Sequence, residues 1–311
     1  MKRTLIRLGA ARPPAILVLF AIVVWGAFTA PFAAAQQTPK LKVYISVDME
    51  GITGVVHGEQ VSSGTSEYAA ARKWMAEDVN AAIEGALAAG AREIIVNDSH
   101  GSMRNIDPAD LHPRAVLISG SPKPLVMMEG IDASFNACLF IGYHARAGTA
   151  DATLDHTISG AVVRAIRVNG IEMPELGLNA AIAGMFGVPV VLVSGDVAVC
   201  QQAKEILGSD VVTVPVKDSI GRQAARLVPM SEARKTIKDR TAKALRELIK
   251  HKPYRLTSPY KFELDYHTSA QADYGVMFPG IERPGARTVA FTSDDYLKGF
   301  RTLRALIAIV R

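Results

Sequence analysis

LKVYISVDMEG (residues 41–51) decides the fold. Its apolar run predicts a buried strand, which breaks off into Asp48, Glu50 and Gly51. The same design recurs downstream. REIIVNDSHG (92–101) ends in Asn97-Asp98-Ser99-His100-Gly101, and ACLFIGYHA (137–145) ends in Gly142-Tyr143-His144-Ala145. AVLISG (115–120) and VPVVLVSGD (188–196) read as further buried strands. Between them lie helical patterns. Trp74, Met75, Val79, Ile83 and Leu87 recur at helical spacing within 66–89, and Gly90 suits the stop. Glu175 to Phe186 and residues 198–207 read as two more helices. Alternating strands and helices predict an α/β fold with a mainly parallel sheet flanked by helices.

Beyond about residue 217 the character changes. Ser231 to Lys250 predicts a charged amphipathic helix with Ser231 as its N-cap, followed by the strands YKFELDYHT and RTVAFTS and a last helix over 294–310. HTISGAVVRAIRVNG (156–170) alternates like a hairpin or sheet strand. The expected organisation is a leader over 1–35, an α/β domain over 36–217, and a smaller α+β part over 218–311 packed on it.

The leader explains the charge. The formal net charge is +5, but residues 1–36 hold Lys2, Arg3, Arg7 and Arg12 and no acid. With those four taken from 35, 31 basic residues face 30 acidic ones, so the remainder is nearly neutral. No basic block could track a phosphate backbone, which excludes nucleic acid as an expected partner. The basic start, the apolar run Ala15–Ala30 and the small residues before Gln36 form the three-part pattern of a secretory signal peptide. Cleavage is expected after Ala35. The apolar run is 16 residues, short for a membrane span of roughly 20, so no stable span is expected after cleavage. The folded part is expected outside the cytoplasm. Cys138 and Cys200 read as unpaired buried thiols, and without a CxxC pair they offer no thiolate metal site.

In open α/β sheets, sites form beyond the carboxyl ends of the strands. Asp48, Glu50, His100 and His144 can therefore converge there. Two carboxylates and two imidazoles make a mixed nitrogen–oxygen donor set that suits Zn²⁺. Asp48 and Glu50, two apart, face one side if the strand persists. One carboxylate can also bridge two metals about 3.5–4 Å apart. Against this stands a plainer account, in which strand-end Asp and His residues are caps and hydrogen-bonding groups. Residue chemistry alone leaves both accounts open.

The runs SVDMEGITG, VNDSHGSMRN, LHPRAVLISGSPKPLVMMEGID, LFIGYHARAGT and ELGLNAAIAG resemble the zinc-dependent D-aminopeptidase family, over residues 41–310. That resemblance implies hydrolysis of short peptides with an N-terminal D-amino acid, two Zn²⁺ per subunit, and a ring-like homo-oligomer. It implies the metal ligands Asp48, Glu50, His100, His144 and Glu175, with Asp48 bridging. It sets Asp48, Glu50 and His144 on one zinc, and Asp48, His100 and Glu175 on the other. His156 takes the family's catalytic position, as nucleophile or as general base. His57, His112, His251 and His267 read as surface or packing residues. Asp98, Glu129 and Asp155 are candidates for binding a substrate ammonium, and Asn97 and Asn179 for donating to an oxyanion. Export fits peptides derived from peptidoglycan. A metal-dependent amidase and a periplasmic dipeptide-binding protein are the rival readings. Walker A, dinucleotide-binding and GxSxG patterns do not occur.

Overall fold

The computed structural model describes residues 40–310 together with Gly9, so the expected leader, Gly9 apart, lies outside the described residues. The strands are β1 (Lys42–Val47), β2 (Glu93–Asp98), β3 (Val116–Ile118), β4 (Ala137–Tyr143), β5 (Val163–Val168), β6 (Ile171–Glu172), β7 (Val190–Asp196), β8 (Val212–Gly221), β9 (Ala224–Leu227), β10 (Tyr260–Tyr266), β11 (Glu282–Gly285) and β12 (Thr288–Ser293). The helices are α1 (Gly58–Val61), α2 (Tyr68–Ala88), α3 (Glu175–Met185), α4 (Val197–Leu207), α5 (Met230–Arg246), α6 (Ser269–Gly275) and α7 (Tyr296–Ala308).

Seven strands form the main sheet in the order β3-β2-β1-β4-β7-β8-β9, parallel except for β9, which runs antiparallel to β8. The chain winds from β1 outward to β3, then returns to lay β4 on the other side of β1. The crevice between the carboxyl ends of β1 and β4 is thus the topological switch point, where this architecture places its ligands. Helices on both faces explain why the strands are apolar without interruption. Val43, Ile45 and Val47 of β1 pack with Met75, Val79 and Ile83 of α2 and Ile237 of α5. Tyr44 points the other way, into a core with Phe140, Ile182 of α3 and Leu303 of α7. The period-2 alternation of the strand assigns each residue to one of two cores.

The second sheet, β11-β12-β10-β5-β6, is antiparallel. The boundary expected near 217 falls inside β8, and β5 pairs with β10 across it. Residues 40–310 all fall within one compact unit. Two local expectations need correction. α5 begins at Met230 after Pro229, which has no side-chain cap, so Ser231 lies within the first turn and caps nothing. The strand β1 ends at Val47, so Asp48 and Glu50 sit on a turn rather than on the strand.

Candidate metal centre and substrate cavity

The turn after β1 is folded hard against the end of β4. Asp48 N–H donates to the Ile141 carbonyl and Gly51 N–H to the Gly142 carbonyl, both at 2.8 Å. A Cβ on Gly51 would stand 1.9 Å from the Tyr143 carbonyl oxygen, so only glycine allows this approach. Gly142 has φ +71°, and a Cβ there would lie 2.3 Å from the Asp48 carbonyl oxygen. These two glycines bring the turn that carries both carboxylates over the strand that delivers His144.

The structure brings all six singled-out residues together. Asp48 follows β1, His100 lies just beyond β2, and His144 directly follows β4. Glu175 is the first residue of α3, and His156 comes from the loop between β4 and β5. Asp48 Oδ1 is 3.4 Å from His100 Nδ1, and Asp48 Oδ2 is 3.4 Å from His144 Nε2. One carboxylate thus faces two imidazoles, one oxygen to each. Glu50 Oε2 is 3.0 Å from His100 Nδ1, and Glu175 Oε1 is 3.3 Å from His144 Nε2. His156 Nε2 stands farther off, 3.9 Å from Glu50 Oε1 and 3.8 Å from Glu175 Oε1. Two groups of donor atoms result: Asp48, Glu50 and His100, and His144, His156 and Glu175. In this pairing His100 goes with Glu50 and His144 with Glu175. The partition that the resemblance implies crosses these pairs.

Backbone groups fix the rings. His100 Nε2 lies 2.8 Å from the Val61 carbonyl, His144 Nδ1 3.0 Å from that of Ala145, and His156 Nδ1 2.9 Å from that of Leu154. A carbonyl only accepts, so each of these nitrogens carries the proton, and in a neutral ring the other nitrogen turns a lone pair toward the carboxylates. Locking of this kind, through the far ring nitrogen, is what metal-binding histidines show. His144 Nε2 is buried and has no hydrogen-bond partner among the described residues. His144 and His156 also stack, with ring centroids 4.0 Å apart and planes 10° from parallel, an arrangement that two imidazolium cations would resist.

Lone pairs facing carboxylates need a positive charge between them. Without a metal only protons can supply it. Burial opposes charge on His100 and His144, but the carboxylates of Glu50 and Glu175, helped by Asp48, hold both rings well above the usual imidazole range. Against the same cost of burial, the histidines hold Glu50 well below, and Glu175 below, the carboxylate range. A divalent cation removes the conflict without protons. The donor set, three carboxylates and three imidazoles in a buried pocket, fits a borderline metal of the zinc type and is too rich in nitrogen for calcium or magnesium.

The cluster opens into a cavity of about 380 Å³, also lined by Met103, Lys123, Met127, Ile158 and Arg304. This is the small end of the range for small-molecule sites. The proposed ammonium binders do not line it. Asp98 accepts hydrogen bonds from Asn105 and the Ile106 N–H, Glu129 from the Leu125 N–H, and Asp155 pairs with Arg222. Each carboxylate already has a partner within the protein, as His57 caps α1 and His112 accepts from the Arg114 N–H. Asn179 donates to Tyr143 and Met127, and Asn97 to the Val126 carbonyl, so neither aims at an oxyanion. Sequence reading missed Lys217. Its ammonium, buried behind the turn, donates to the carbonyl oxygens of Glu50 (2.7 Å) and Val55. Its only signal was a lysine ending the apolar run VVTVPVK, which nothing ties to residue 50.

The family model described as D-aminopeptidase (Peptidase_M55) matches residues 41–305. The chain belongs to the D-aminopeptidase family. It is therefore a peptidase, and the dipeptide-binding reading falls. The family's described members include a D-aminopeptidase of Bacillus subtilis (strain 168). It is 39% identical over 266 residues, covering 85% of this chain and 95% of the relative. Among solved structures, the Zn-dependent D-aminopeptidase DppA from Bacillus subtilis, described as a self-compartmentalizing protease, superposes with a TM-score of 0.84 at 36% identity. That match covers 87% of this chain and 98% of the other.

Proposed function

We propose that this D-aminopeptidase family member is an exported enzyme with two zinc ions, which removes an N-terminal D-amino acid, of the D-alanine type, from short peptides. One observation carries the reading: three carboxylates and three imidazoles meet at the switch point, with the far nitrogen of each ring tied to a backbone carbonyl.

Asp48, Glu50, His100, His144 and Glu175 would hold the metals, with Asp48 offering one oxygen to each side. Bound zinc supplies Lewis-acid polarisation of a carbonyl and makes water more acidic. The remaining work falls to the chain itself. His156 is the most accessible of the three rings, with its side chain 20% exposed against 1% for His144 and 14% for His100. Its Nε2 stands 3.8 and 3.9 Å from the carboxylates of Glu175 and Glu50, farther than the facing nitrogens of His100 and His144, and His156 lines the cavity. The Leu154 carbonyl holds the proton on Nδ1, so Nε2 can take a proton from water or attack the scissile carbonyl. The small cavity suits a short peptide.

Export is supported by the leader pattern in residues 1–35, and by the origin of peptidoglycan-derived D-peptides outside the cytoplasm. Assembly into a homo-oligomeric compartment is supported by the description of DppA as self-compartmentalizing. Metal analysis of purified protein, with a panel of D- and L-aminoacyl dipeptides, tests the reading. Two zinc ions per chain and hydrolysis confined to the D series are expected. Cleavage of L-peptides at equal rate, or one zinc per chain, would contradict it. Sedimentation of the purified protein as a monomer would contradict the assembly.

A further inference from the structure

The charged residues of the cavity lining divide unequally. Its acids are Asp48, Glu50 and Glu175, all in the cluster. Its other charged side chains outside the imidazoles are both cations, Lys123 and Arg304. Lys123, on the loop after β3, has a defined setting. Its ammonium donates to Asn97 Oδ1 and, at 2.7 Å, to the Asp98 carbonyl oxygen. Both acceptors are neutral. An ammonium has three N–H donors, so one remains, and no carboxylate among the described residues pairs with it. The neighbouring Asp98 carboxylate is already occupied by Asn105 and the Ile106 N–H. The result is a half-buried, positioned cation with an unspent donor, in the wall of the cavity that contains the reactive cluster.

A short peptide brings a charge to match it. In a dipeptide the carboxylate is bonded to the Cα just beyond the scissile bond, and the two Cα atoms that flank that bond are about 3.8 Å apart. A cavity of about 380 Å³ keeps the two ends of such a substrate within one enclosure. The peptide's amino end, a cation, is repelled by Lys123, so the same side chain orients the substrate. On the reading given under Proposed function, we propose that Lys123 receives the free C-terminal carboxylate of the substrate, making the enzyme selective for dipeptide acids. Burial, partly offset by Asp98 and Glu129, lowers the Lys123 pKa to about 8, so the ammonium prevails at neutral pH.

The test compares a D-alanyl dipeptide with its C-terminal amide on the zinc-loaded full-length enzyme. The wild type is expected to favour the acid in kcat/KM by about tenfold or more, as fits a charge-assisted contact. Lys123→Gln and Lys123→Met are expected to bring the ratio close to one, chiefly through KM for the acid. Because both substrates meet the same preparation, a misfolded fraction cancels from the ratio. A lysine that only braces the end of β2 would leave the ratio untouched. A wild type indifferent to the carboxylate overturns the proposal, as does a variant that keeps the preference. If the zinc-loaded wild type cleaves neither compound nor any other D-aminoacyl peptide, the functional reading fails first and this proposal with it.

Discussion

Lys217 Nζ, on β8, donates to the backbone carbonyl of Glu50 at 2.7 Å, although the two residues are 167 positions apart. A second bond to the Val55 carbonyl makes the ammonium a clamp across the turn that carries Asp48 and Glu50. Lys217→Met removes both donors while keeping the bulk. It also strips two buried carbonyls of a partner, at about 1–3 kcal/mol each. Because the turn aims two of the carboxylates, zinc affinity is expected to fall about 10- to 100-fold, the size of effect seen when groups behind metal ligands are lost. Competition with a chromophoric chelator measures it. Unchanged affinity in a folded variant would show that the turn holds itself.

Asp48 is the one carboxylate that faces both His100 and His144. Asp48→Ala is expected to abolish zinc binding at both positions and with it all turnover. Elemental analysis of the dialysed variant decides the point. A variant that keeps two zinc ions would refute the bridging role.

His156 contributes differently. His156→Ala is expected to retain zinc and lose kcat by about 10²- to 10⁴-fold, the range for removing a positioned acid–base group. Loss of zinc along with activity would make His156 a ligand, as its place beside His144 and Glu175 allows.

The parts of this site visible in the sequence are those whose chemistry is unusual. Asp48, Glu50, His100 and His144 could be picked out because each interrupts an apolar strand at its carboxyl end, where a parallel sheet puts its ligands. Glu175 and His156 carry no such signal, and only the family resemblance pointed to them. The carbonyls of Val61, Ala145 and Leu154, which set the three ring tautomers, were invisible because every residue has one. Lys217 and Lys123 were overlooked because surface lysines are common, and only tertiary structure shows one buried and the other in a cavity wall. The expected strand geometry for Asp48 and Glu50 failed because Gly51 and Gly142 permit a tighter turn than the period-2 argument assumed.

Gly51 tests that last point. In Gly51→Ala the new methyl would lie 1.9 Å from the Tyr143 carbonyl oxygen, an atom fixed between strands that cannot yield cheaply. The turn must lift off β4. Destabilisation beyond about 4 kcal/mol is expected, a size reserved for few mechanisms, together with loss of zinc. Thermal unfolding of the metal-free and metal-loaded variant measures both. Wild-type stability would mean that the turn does not approach β4 this closely.

The two cysteines offer a test away from the metal. Cys138 and Cys200 are free and buried in β4 and α4. Burial raises the Cys138 thiol well above its ordinary range, and pushes Cys200 up to about 12 with help from Asp196. The thiolate is the reactive form, so neither should react with a disulfide reagent in the native protein even at pH 9, while both should react in denaturant. The sign of the pH effect follows. A raised folded-state pKa contributes stability that is whole below the unfolded value near 9 and is lost as pH climbs toward about 12. Denaturant midpoints should therefore fall over that interval, and Cys200→Ala should flatten part of the fall. Rapid labelling of Cys200 in the folded protein at pH 8 would show that the packing of α4 on the sheet is looser than these contacts require.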